Sequence, residues 1–295
     1  MTVLRSLLFV PGNQPNMLEK ATGFRPDAFV PDMEDSVPME EKANARKTVV
    51  DHLPALAERG PLVIPRVNSL DTGLLEEDLE AVVGPHIYGV SVGKIYTIED
   101  VHAISSILDG LEEKAGLPNG QTRLLPWIET AMAIVRCYAI CSSSPRIAGV
   151  SLGAEDFTND MGIERTKDDS EIAFPRSVIG VSARAADVLA LDTPFFSFRD
   201  PEGLRENCLG SRRVGFKGKF AIHPAQIDVI NEAFSPSPSE IEHAKRVIEA
   251  FEEAQSRGRG STSLDGHVVD VPVVKRAEAL LELAASLPGA TGPGA

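Results

Sequence analysis

The chain has 295 residues and carries 29 Lys and Arg against 43 Asp and Glu, so its formal charge at pH 7 is −14. A protein that binds nucleic acid usually presents a basic face, and this balance argues against one. Hydrophobic residues make up 43% and charged residues 24%, a mixture typical of globular rather than disordered proteins. The length suits a single α/β barrel, which takes roughly 250 residues, followed by a tail.

The sequence shows no signature of secretion or membrane insertion. Its first residues, MTVLRSLLFVPG, are too soon interrupted by proline and glycine to form a signal peptide. No apolar run reaches about 18 residues, the length needed to cross a bilayer. Cys137, Cys141 and Cys208 lack metal-ligand spacing and are interpreted as small buried hydrophobic residues rather than as a disulfide or a thiol nucleophile. A reducing, cytoplasmic location is therefore expected.

Short apolar runs alternate with amphipathic stretches along most of the chain. The predicted strands are residues 6–10, 27–30, 62–67, 87–92, 123–128, 147–152, 195–198 and 219–222. The predicted helices are residues 14–22, 39–58, a stretch from 71, 98–115, 130–141, 175–189, 201–209 and a stretch from 224. Eight strand–helix units favour a parallel sheet closed into a (β/α)8 TIM barrel. An open doubly wound sheet is the alternative, but no GxGxxG motif follows the first strand.

The pattern changes near residue 235, which predicts a catalytic barrel over residues 1–235 and a small helical appendage over 236–295. Ser239 is the predicted N-cap of the first appendage helix, with Glu242 at the capping-box position. The appendage is predicted to contain a helix over 239–256, a turn and short strand over 264–272, a helix over 273–285 and a disordered end over 288–295.

Polar residues cluster where the predicted strands end, and in a barrel these carboxyl ends share one rim. In chain order they are Asp32, Glu34 and Asp35, Arg66 and Asn68, Glu129 and Thr130, Glu155 and Asp156, and His223. Any one of them could simply cap a helix or face solvent. Their convergence on one rim indicates a functional site.

Glu129 and Asp156 follow adjacent predicted strands and suggest a metal site. Two carboxylates with water and substrate oxygens suit Mg2+, which prefers oxygen ligands and keeps much of its hydration. Arg66 beside such an ion could hold a carboxylate or enolate oxygen through charge-assisted hydrogen bonds. A divalent ion and a guanidinium together stabilise an enolate, which is the chemistry of a lyase or aldolase.

Seven stretches of the chain form an ordered set that covers nearly its whole length. They are RSLLFVPGNQPNMLEKA (5–21), DMEDSVPMEEKANAR (32–46), PRVN (65–68), PWIETAMAI (126–134), GAEDFTNDMG (153–162), GKFAIHPAQI (218–227) and DGHVVDVPVVKRA (265–277). In this order they resemble the citrate lyase beta-subunit-like family of the HpcH/HpaI aldolase superfamily. That family includes the malyl-CoA and citramalyl-CoA lyases.

The resemblance implies a TIM barrel whose carboxyl-terminal segment packs on a neighbouring subunit, in homotrimers or hexamers. It implies Mg2+, or Mn2+ in its place, held by Glu129 and Asp156, with Arg66 binding the substrate carbonyl or carboxylate. Asp270 resembles the acid/base that the adjacent subunit delivers, and Asp265 is a nearby rival for that role.

The resemblance also implies acyl-CoA as the ligand, with Arg5 near it. Lys94 aligns with the lysine of a Pro-Lys pair in many relatives, but here it follows Gly93, and the seventh strand, FFSFRD, also diverges. Glu34 and Asp35 are expected either to orient Arg66 or metal-bound water, or to cap the helix near residue 39. His223 is expected either to bind substrate or to form a hydrogen bond at the rim.

The resulting hypothesis is reversible cleavage of a 3-hydroxyacyl-CoA, such as malyl-CoA or citramalyl-CoA, into an acyl-CoA and a 2-oxo acid, glyoxylate or pyruvate. Three alternatives stay open: a citrate lyase beta subunit acting on a citryl thioester, a CoA-independent metal aldolase, and a non-catalytic binding subunit. Hydrolysis of the product thioester is also compatible with such a site. No nucleic-acid or membrane partner is expected.

Overall fold

The computed structural model describes residues 2–287, which divide into two units. One unit is residues 4–231, and the other is the described part of residues 1–3 and 232–295. The sequence prediction places its boundary between residues 235 and 236. The predicted disorder over 288–295 lies outside the described residues. No helix within residues 2–287 combines the length and hydrophobicity that crossing a bilayer requires.

The larger unit is a closed barrel of parallel strands surrounded by helices, as the sequence predicts. The strands are β1 (Ser6–Pro11), β2 (Ala28–Asp32), β3 (Leu62–Val63), β4 (Arg66–Val67), β5 (Gly89–Val92), β6 (Arg123–Ile128), β7 (Gly149–Leu152), β8 (Leu189–Asp192) and β9 (Gly218–Ala221). Neighbours pair in the order β1-β9-β8-β7-β6-β5-β4-β2, and β1 pairs with β2 to close the barrel. Because β3 and β4 both lie beside β2, the described residues supply eight strand positions.

The third predicted strand, residues 62–67, is interrupted at Pro65, which has no N–H to donate to a strand ladder. β3 and β4 nevertheless keep one register against β2, with Ala28 opposite Leu62 and Asp32 opposite Arg66. The Pro65 carbonyl accepts a hydrogen bond from the backbone N–H of Ser91 at 2.9 Å. The chain therefore continues as one barrel strand and delivers Arg66 to the rim.

Helices cover the outside of the barrel. They are α1 (Pro15–Ala21), α2 (Lys42–Ala57), α3 (Leu75–Val82), α4 (Ile98–Ala115), α5 (Ala131–Val135), α6 (Cys137–Cys141), α7 (Ala154–Met161), α8 (Ala173–Ala185), α9 (Pro201–Arg213) and α10 (Ile227–Ala233). The helix predicted over 130–141 is divided at Arg136 into α5 and α6. The helix predicted over 175–189 ends at Ala185, before β8. The three cysteines are free and buried, as predicted.

The prediction of the seventh strand over residues 195–198 is wrong, because the strand is β8 and ends at Asp192. Phe196 and Phe198 are 54% and 43% exposed in the connection that follows it. An aromatic run is typical of a strand, but these rings lie outside the barrel wall. The real strand, LALD, is short and carries a fully buried carboxylate at its end.

An aromatic layer fills the barrel interior near the carboxyl ends of the strands. The ring centroid of Phe9 lies 5.0 Å from that of Phe220 and 5.9 Å from that of Trp127. The Trp127 indole N–H donates to the Ser91 hydroxyl at 2.7 Å, so this buried polar group is satisfied. The layer forms a rigid floor under the rim.

The smaller unit contains α11 (Pro238–Ser256), an antiparallel hairpin of β10 (Thr262–Leu264) and β11 (His267–Val269), and α12 (Val271–Ser286). The apolar face of α11, with Phe251, packs against Val269 of the hairpin and Val274 of α12. The predicted cap at Ser239 with Glu242 is wrong. Ser237 caps α11 in a capping box with Glu240, because Pro238 takes the first helical position.

Candidate active site

A cavity of about 410 Å³ lies at the carboxyl ends of the barrel strands. Its floor includes Phe9 and Trp127 of the aromatic layer. Four residues predicted for the site line its walls: Asp35, Arg66, Glu129 and Asp156. They meet because every strand of a parallel barrel ends at the same rim.

The guanidinium of Arg66 is fixed by the carboxylate of Asp32 and by the ring of Phe9. Its Nε lies 2.7 Å from Oδ1 of Asp32, and its Nη2 lies 2.7 Å from Oδ2 of the same carboxylate. The guanidinium carbon lies 4.6 Å above the ring centroid of Phe9. Burial works against its charge, but Asp32, Glu34 and Asp35 hold the pKa of Arg66 above its ordinary value. Arg66 is therefore a fixed, permanent positive charge.

The sequence places Asp32 at the end of a strand but assigns it no individual role. In the structure it is the main partner of Arg66. Burial alone would raise its pKa, but the Arg66 guanidinium holds the pKa of Asp32 below its ordinary value. A signal for this pair existed in the sequence. Opposite charges that end adjacent parallel strands are brought face to face by the register.

Glu34 and Asp35 also contact Arg66, each at 3.2 Å from its Nη1. Their alternative role as helix caps is wrong, because the short 3-10 helix Met39–Glu41 has no side-chain cap. Glu34 is 5% exposed, and burial raises the pKa of its carboxyl above its usual range. The Lys94 side chain approaches Glu34, with 3.4 Å between Nζ and Oε1.

Glu129 is a carboxylate at the end of β6 that is only 6% exposed. One of its oxygens accepts a hydrogen bond at 2.7 Å from the backbone N–H of Lys94, whose φ of +55° turns that group inward. Within the described part of the chain, no Lys or Arg side chain forms an ion pair with Glu129. Burial, with Asp156 and Glu34 nearby, raises the pKa of Glu129 to about 8.

Gly153 directly follows β7, and its lack of a side chain leaves space for the side chain of Glu129. A Cβ at residue 153 would lie 2.3 Å from Cγ of Glu129 and 2.4 Å from its Oε1. Glycine is therefore required by close approach at this point. Three residues later, Asp156 lies exposed in the first turn of α7.

The residues present fit a hydrated, oxygen-preferring cation. Among residues 2–287, no group of three or more His, Cys, Asp or Glu side chains is arranged to hold a metal ion. Two carboxylates would leave several coordination positions for water and substrate, which is how Mg2+ is commonly bound. Within the described residues, the buried Glu129 has no ion pair with Lys or Arg, so a bound cation would neutralise its ionised form. Glu129 and Asp156 are the residues that could hold such an ion.

His223 and Arg5 do not line the cavity. His223 follows β9 and caps a 3-10 turn, its Nδ1 accepting the Ala225 N–H at 3.2 Å, and its ring stacks on Phe198. Arg5 precedes β1 at the amino end of the barrel, opposite the rim. There its Nε and Nη2 bind the Asp27 carboxylate at 2.8 Å each. The structure does not bring Arg5 to the predicted site.

Asp265 and Asp270 belong to the smaller unit. Asp270 is the N-cap of α12, where its side chain accepts the Val273 N–H at 3.3 Å. Asp265 has a φ of +51° at the hairpin turn, and both its oxygens contact Arg246, at 2.8 and 2.9 Å. Asp265 is thus engaged by an arginine, whereas within residues 2–287 the side chain of Asp270 forms only its capping hydrogen bond. The acid/base role of Asp270 stays a prediction.

Comparisons with known proteins identify the family of the chain. The family HpcH/HpaI aldolase/citrate lyase matches residues 5–224. The chain is 37% identical over 280 residues to the citrate lyase subunit beta of Leuconostoc mesenteroides subsp. cremoris, covering 95% of this chain and 93% of that protein. It is 34% identical over 266 residues to a (3S)-malyl-CoA thioesterase of Cereibacter sphaeroides, covering 90% and 89%.

A solved structure shares the fold over nearly the same length. The protein CitE from Mycobacterium tuberculosis, in complex with magnesium, acetoacetate and coenzyme A, superposes with a TM-score of 0.80 at 29% identity. The match covers 96% of this chain and 99% of that chain. With its barrel, its rim of carboxylates and these relatives, the chain belongs to the HpcH/HpaI aldolase/citrate lyase family.

Proposed function

We propose that the chain is a Mg2+-dependent carbon–carbon lyase that cleaves, or in reverse forms, a 3-hydroxyacyl-CoA such as malyl-CoA or citramalyl-CoA. The products are an acyl-CoA and a 2-oxo acid, glyoxylate or pyruvate. The observation that carries the proposal is the convergence of Glu129, Asp156 and Arg66 on one cavity. The magnesium, acetoacetate and coenzyme A bound by the CitE relative support the choice of ligands.

Glu129 and Asp156 would hold the ion, and a bound Mg2+ would supply positive charge that polarises a substrate carbonyl oxygen. Glu129 is suited to this because its carboxylate is fixed by the Lys94 N–H and by the close approach of Gly153. A ligand that is already oriented loses little conformational freedom on binding. Asp156, at the exposed start of α7, would supply the second carboxylate.

Arg66 would bind the oxygen that becomes negative when the carbon–carbon bond breaks. Asp32 and the Phe9 ring fix its guanidinium before substrate arrives. A preorganised donor stabilises developing charge without reorganising at the moment of reaction. Glu34 and Asp35 then act as positioning residues through Nη1 of Arg66, and Lys94 acts through Glu34.

Asp270 is the proposed acid/base, delivered by the appendage of a neighbouring subunit in a homotrimer or hexamer. In cleavage, its carboxylate takes the proton of the substrate hydroxyl. The electrons of that O–H bond form the oxo-acid carbonyl, and those of the carbon–carbon bond pass to the acyl-CoA enolate. Asp270 then returns the proton to the enolate carbon. His223 caps a 3-10 turn outside the cavity and takes no part in this step.

The relatives favour a second candidate in which the thioester is hydrolysed. A (3S)-malyl-CoA thioesterase is 34% identical to this chain, and the same carboxylates and guanidinium could direct water to a thioester carbonyl. A citrate lyase subunit beta is 37% identical, which keeps a citryl thioester among the possible substrates.

A thioester panel separates these activities. The purified chain is incubated with malyl-CoA, citramalyl-CoA and citryl-CoA, each with Mg2+ and with EDTA, and products are identified by mass spectrometry. The proposal expects an acyl-CoA and a 2-oxo acid that form only with the ion. Free CoA with an intact hydroxy acid would identify a thioesterase. Activity that EDTA leaves unchanged would overturn the metal mechanism.

A further inference from the structure

A continuous chain of ion pairs runs from the barrel wall toward the cavity. Lys219 Nζ lies 2.6 Å from Oδ2 of Asp192, and both side chains are completely buried. Nε of Arg176 lies 3.0 Å from the other oxygen of Asp192. Nη2 of Arg176 lies 2.8 Å from Oδ2 of Asp169. The network thus connects β9, β8 and α8 to the loop between α7 and α8.

Arg165 extends the network to helix α7. Its Nη2 lies 2.8 Å from Oδ1 of Asp169, and its Nε lies 3.0 Å from Oε1 of Glu155. Glu155 directly precedes Asp156 in the first turn of α7. Glu155 also lines both the 410 Å³ cavity and a neighbouring cavity of about 820 Å³. The last ion pair therefore acts on the backbone segment that carries Asp156.

Two features of the network are unfavourable on their own. Buried ion pairs often add little net stability, because the loss of hydration offsets the attraction. Asp169 adopts a φ of +56°, in the left-handed region, which aspartate enters more often than most residues but less readily than glycine. Strain of this kind persists where the surrounding structure over-determines it, and it concentrates at functional sites.

The proposed metal site needs such an anchor because Glu129 follows β6 whereas Asp156 lies in α7, so different elements hold its two carboxyl groups. Asp156 is exposed, so burial does not restrain its own side chain, although Ala154 and Phe157 in the same turn of α7 are buried. The other end of α7 is tethered separately, since Asp160 Oδ2 accepts the Ala131 N–H at 2.8 Å. The Glu155–Arg165 pair is the matching tether at the start of the helix.

We infer that Arg165, anchored through Asp169 and Arg176 to the buried Asp192, is a positioning residue that holds the first turn of α7 so that Asp156 faces Glu129 before the ion arrives. This inference rests on the proposed metal site. It assigns the network to preorganisation of that site rather than to stability alone.

The test is Arg165→Gln, with Mg2+ binding measured in the absence of substrate. Trp127 is the only tryptophan of the sequence and lines the cavity, so its fluorescence reports binding, and calorimetry gives an independent dissociation constant. We expect Mg2+ to bind about 10- to 100-fold more weakly, the usual effect of removing a partner outside the ligand shell. At saturating Mg2+, kcat should return to near the wild-type value.

Arg184→Gln is the matched control, because Arg184 lies in α8 and its pair with Asp187 is exposed. It should bind Mg2+ as the wild type does. Glu155→Gln should weaken binding like Arg165→Gln, and the double variant should be little worse than either single variant. If Arg165→Gln does not fold, Glu155→Gln at the more exposed end of the pair carries the same expectation.

Two results would overturn the inference, and they differ from each other. If Arg165→Gln and Glu155→Gln lower the melting temperature but bind Mg2+ like the wild type, the network is structural only. If the wild type itself binds no Mg2+ at the Trp127 cavity, the proposed metal site fails and the positioning role fails with it.

Discussion

Arg66 and Asp32 form a two-point ion pair between adjacent strands, with both nitrogen–oxygen distances equal to 2.7 Å. The two residues are partners in the strand register, so the barrel itself sets the geometry of the pair. A lysine at residue 66 has a single ammonium and cannot reproduce this fork.

We therefore expect Arg66→Lys to lower kcat/KM by about 100-fold or more, the usual scale for loss of one preorganised donor to developing charge. Arg46→Lys is the control, because Arg46 pairs with Asp78 between two outer helices and does not line the cavity. Steady-state kinetics on the preferred thioester would check both. Near-normal turnover of Arg66→Lys would remove Arg66 from the reaction.

Glu129→Gln and Asp156→Asn should each abolish saturable Mg2+ binding and the activity that depends on it. Because Glu129 is buried without a cationic partner, its neutral variant should melt at a temperature equal to or above that of the metal-free wild type. Calorimetric Mg2+ titration and thermal unfolding in EDTA measure the two effects. Glu76→Gln, on the exposed surface of α3, is the control. Normal Mg2+ binding by either site variant would show that the ion is held elsewhere.

Gly153→Ala should inactivate the protein by a purely steric route. The new methyl group would lie 2.3 Å from Cγ of Glu129, so that side chain must leave its position. A displacement of about 1 Å at a reacting centre can cost about 100-fold in rate. Gly110→Ala is the matched control, since it lies within α4 with open space around it and should raise stability by about 0.5–1 kcal/mol. Equal activities of the two variants would contradict this picture of the site.

Two substitutions of Asp270 separate its helix-capping role from its proposed acid/base role. Asparagine caps a helix about as well as aspartate, so Asp270→Asn should keep the stability of α12 while losing acid/base function. Asp270→Ala should lose activity and also about 1 kcal/mol of stability. Coexpression of Asp270→Asn with Glu129→Gln tests the shared site, because mixed assemblies would contain some intact sites. Failure of such mixtures to regain activity would argue against delivery from a neighbour.

The lowered pKa of Glu112 predicts how the free energy of unfolding changes at low pH. Burial alone would raise its pKa, but hydrogen bonds from Arg146, Thr122 and Gly120 lower the pKa of Glu112 from 4.5 to about 2. The stabilisation is therefore fully present above pH 4.5 and is lost as the pH falls toward 2. It amounts to on the order of 3 kcal/mol at neutral pH. Glu112→Gln should lower the free energy of unfolding near neutral pH, and the gap from wild type should shrink in acid. Urea unfolding across this range, with the exposed neighbour Glu113→Gln as control, would show it; a constant gap would refute it.

The barrel and much of its rim followed from the sequence because parallel strands leave little freedom. Strand periodicity predicts the number of strands, and consecutive strands must be neighbours at the rim. Glu129 and Asp156 therefore had to approach each other once β6 and β7 were recognised. The position of β8 was not recoverable in this way. The aromatic run after it has the stronger strand propensity, and only tertiary pairing makes LALD the strand.

The buried ion pairs of Asp192 with Lys219 and Arg176 were also beyond sequence prediction, but for a different reason. Lys219 and Asp192 are 27 residues apart, and Arg176 and Asp192 are 16 apart, so no local pattern pairs them. A lysine in an apolar strand suggests an exposed position until its partner is known. The role of Asp32 depended in the same way on the exact register between β2 and β4.

The imbalance of charge around the cavity has a consequence for the order in which ligands enter. Five carboxyl groups, those of Asp32, Glu34, Asp35, Glu129 and Asp156, lie in or beside the cavity with only two cationic side chains of the site, Arg66 and Lys94, and Arg66 is already engaged by three of them. An anionic acid that arrives alone meets repulsion, whereas a divalent cation is attracted. If Glu129 and Asp156 hold the ion as proposed, we expect the ion to enter first and to create the charge that admits the acid.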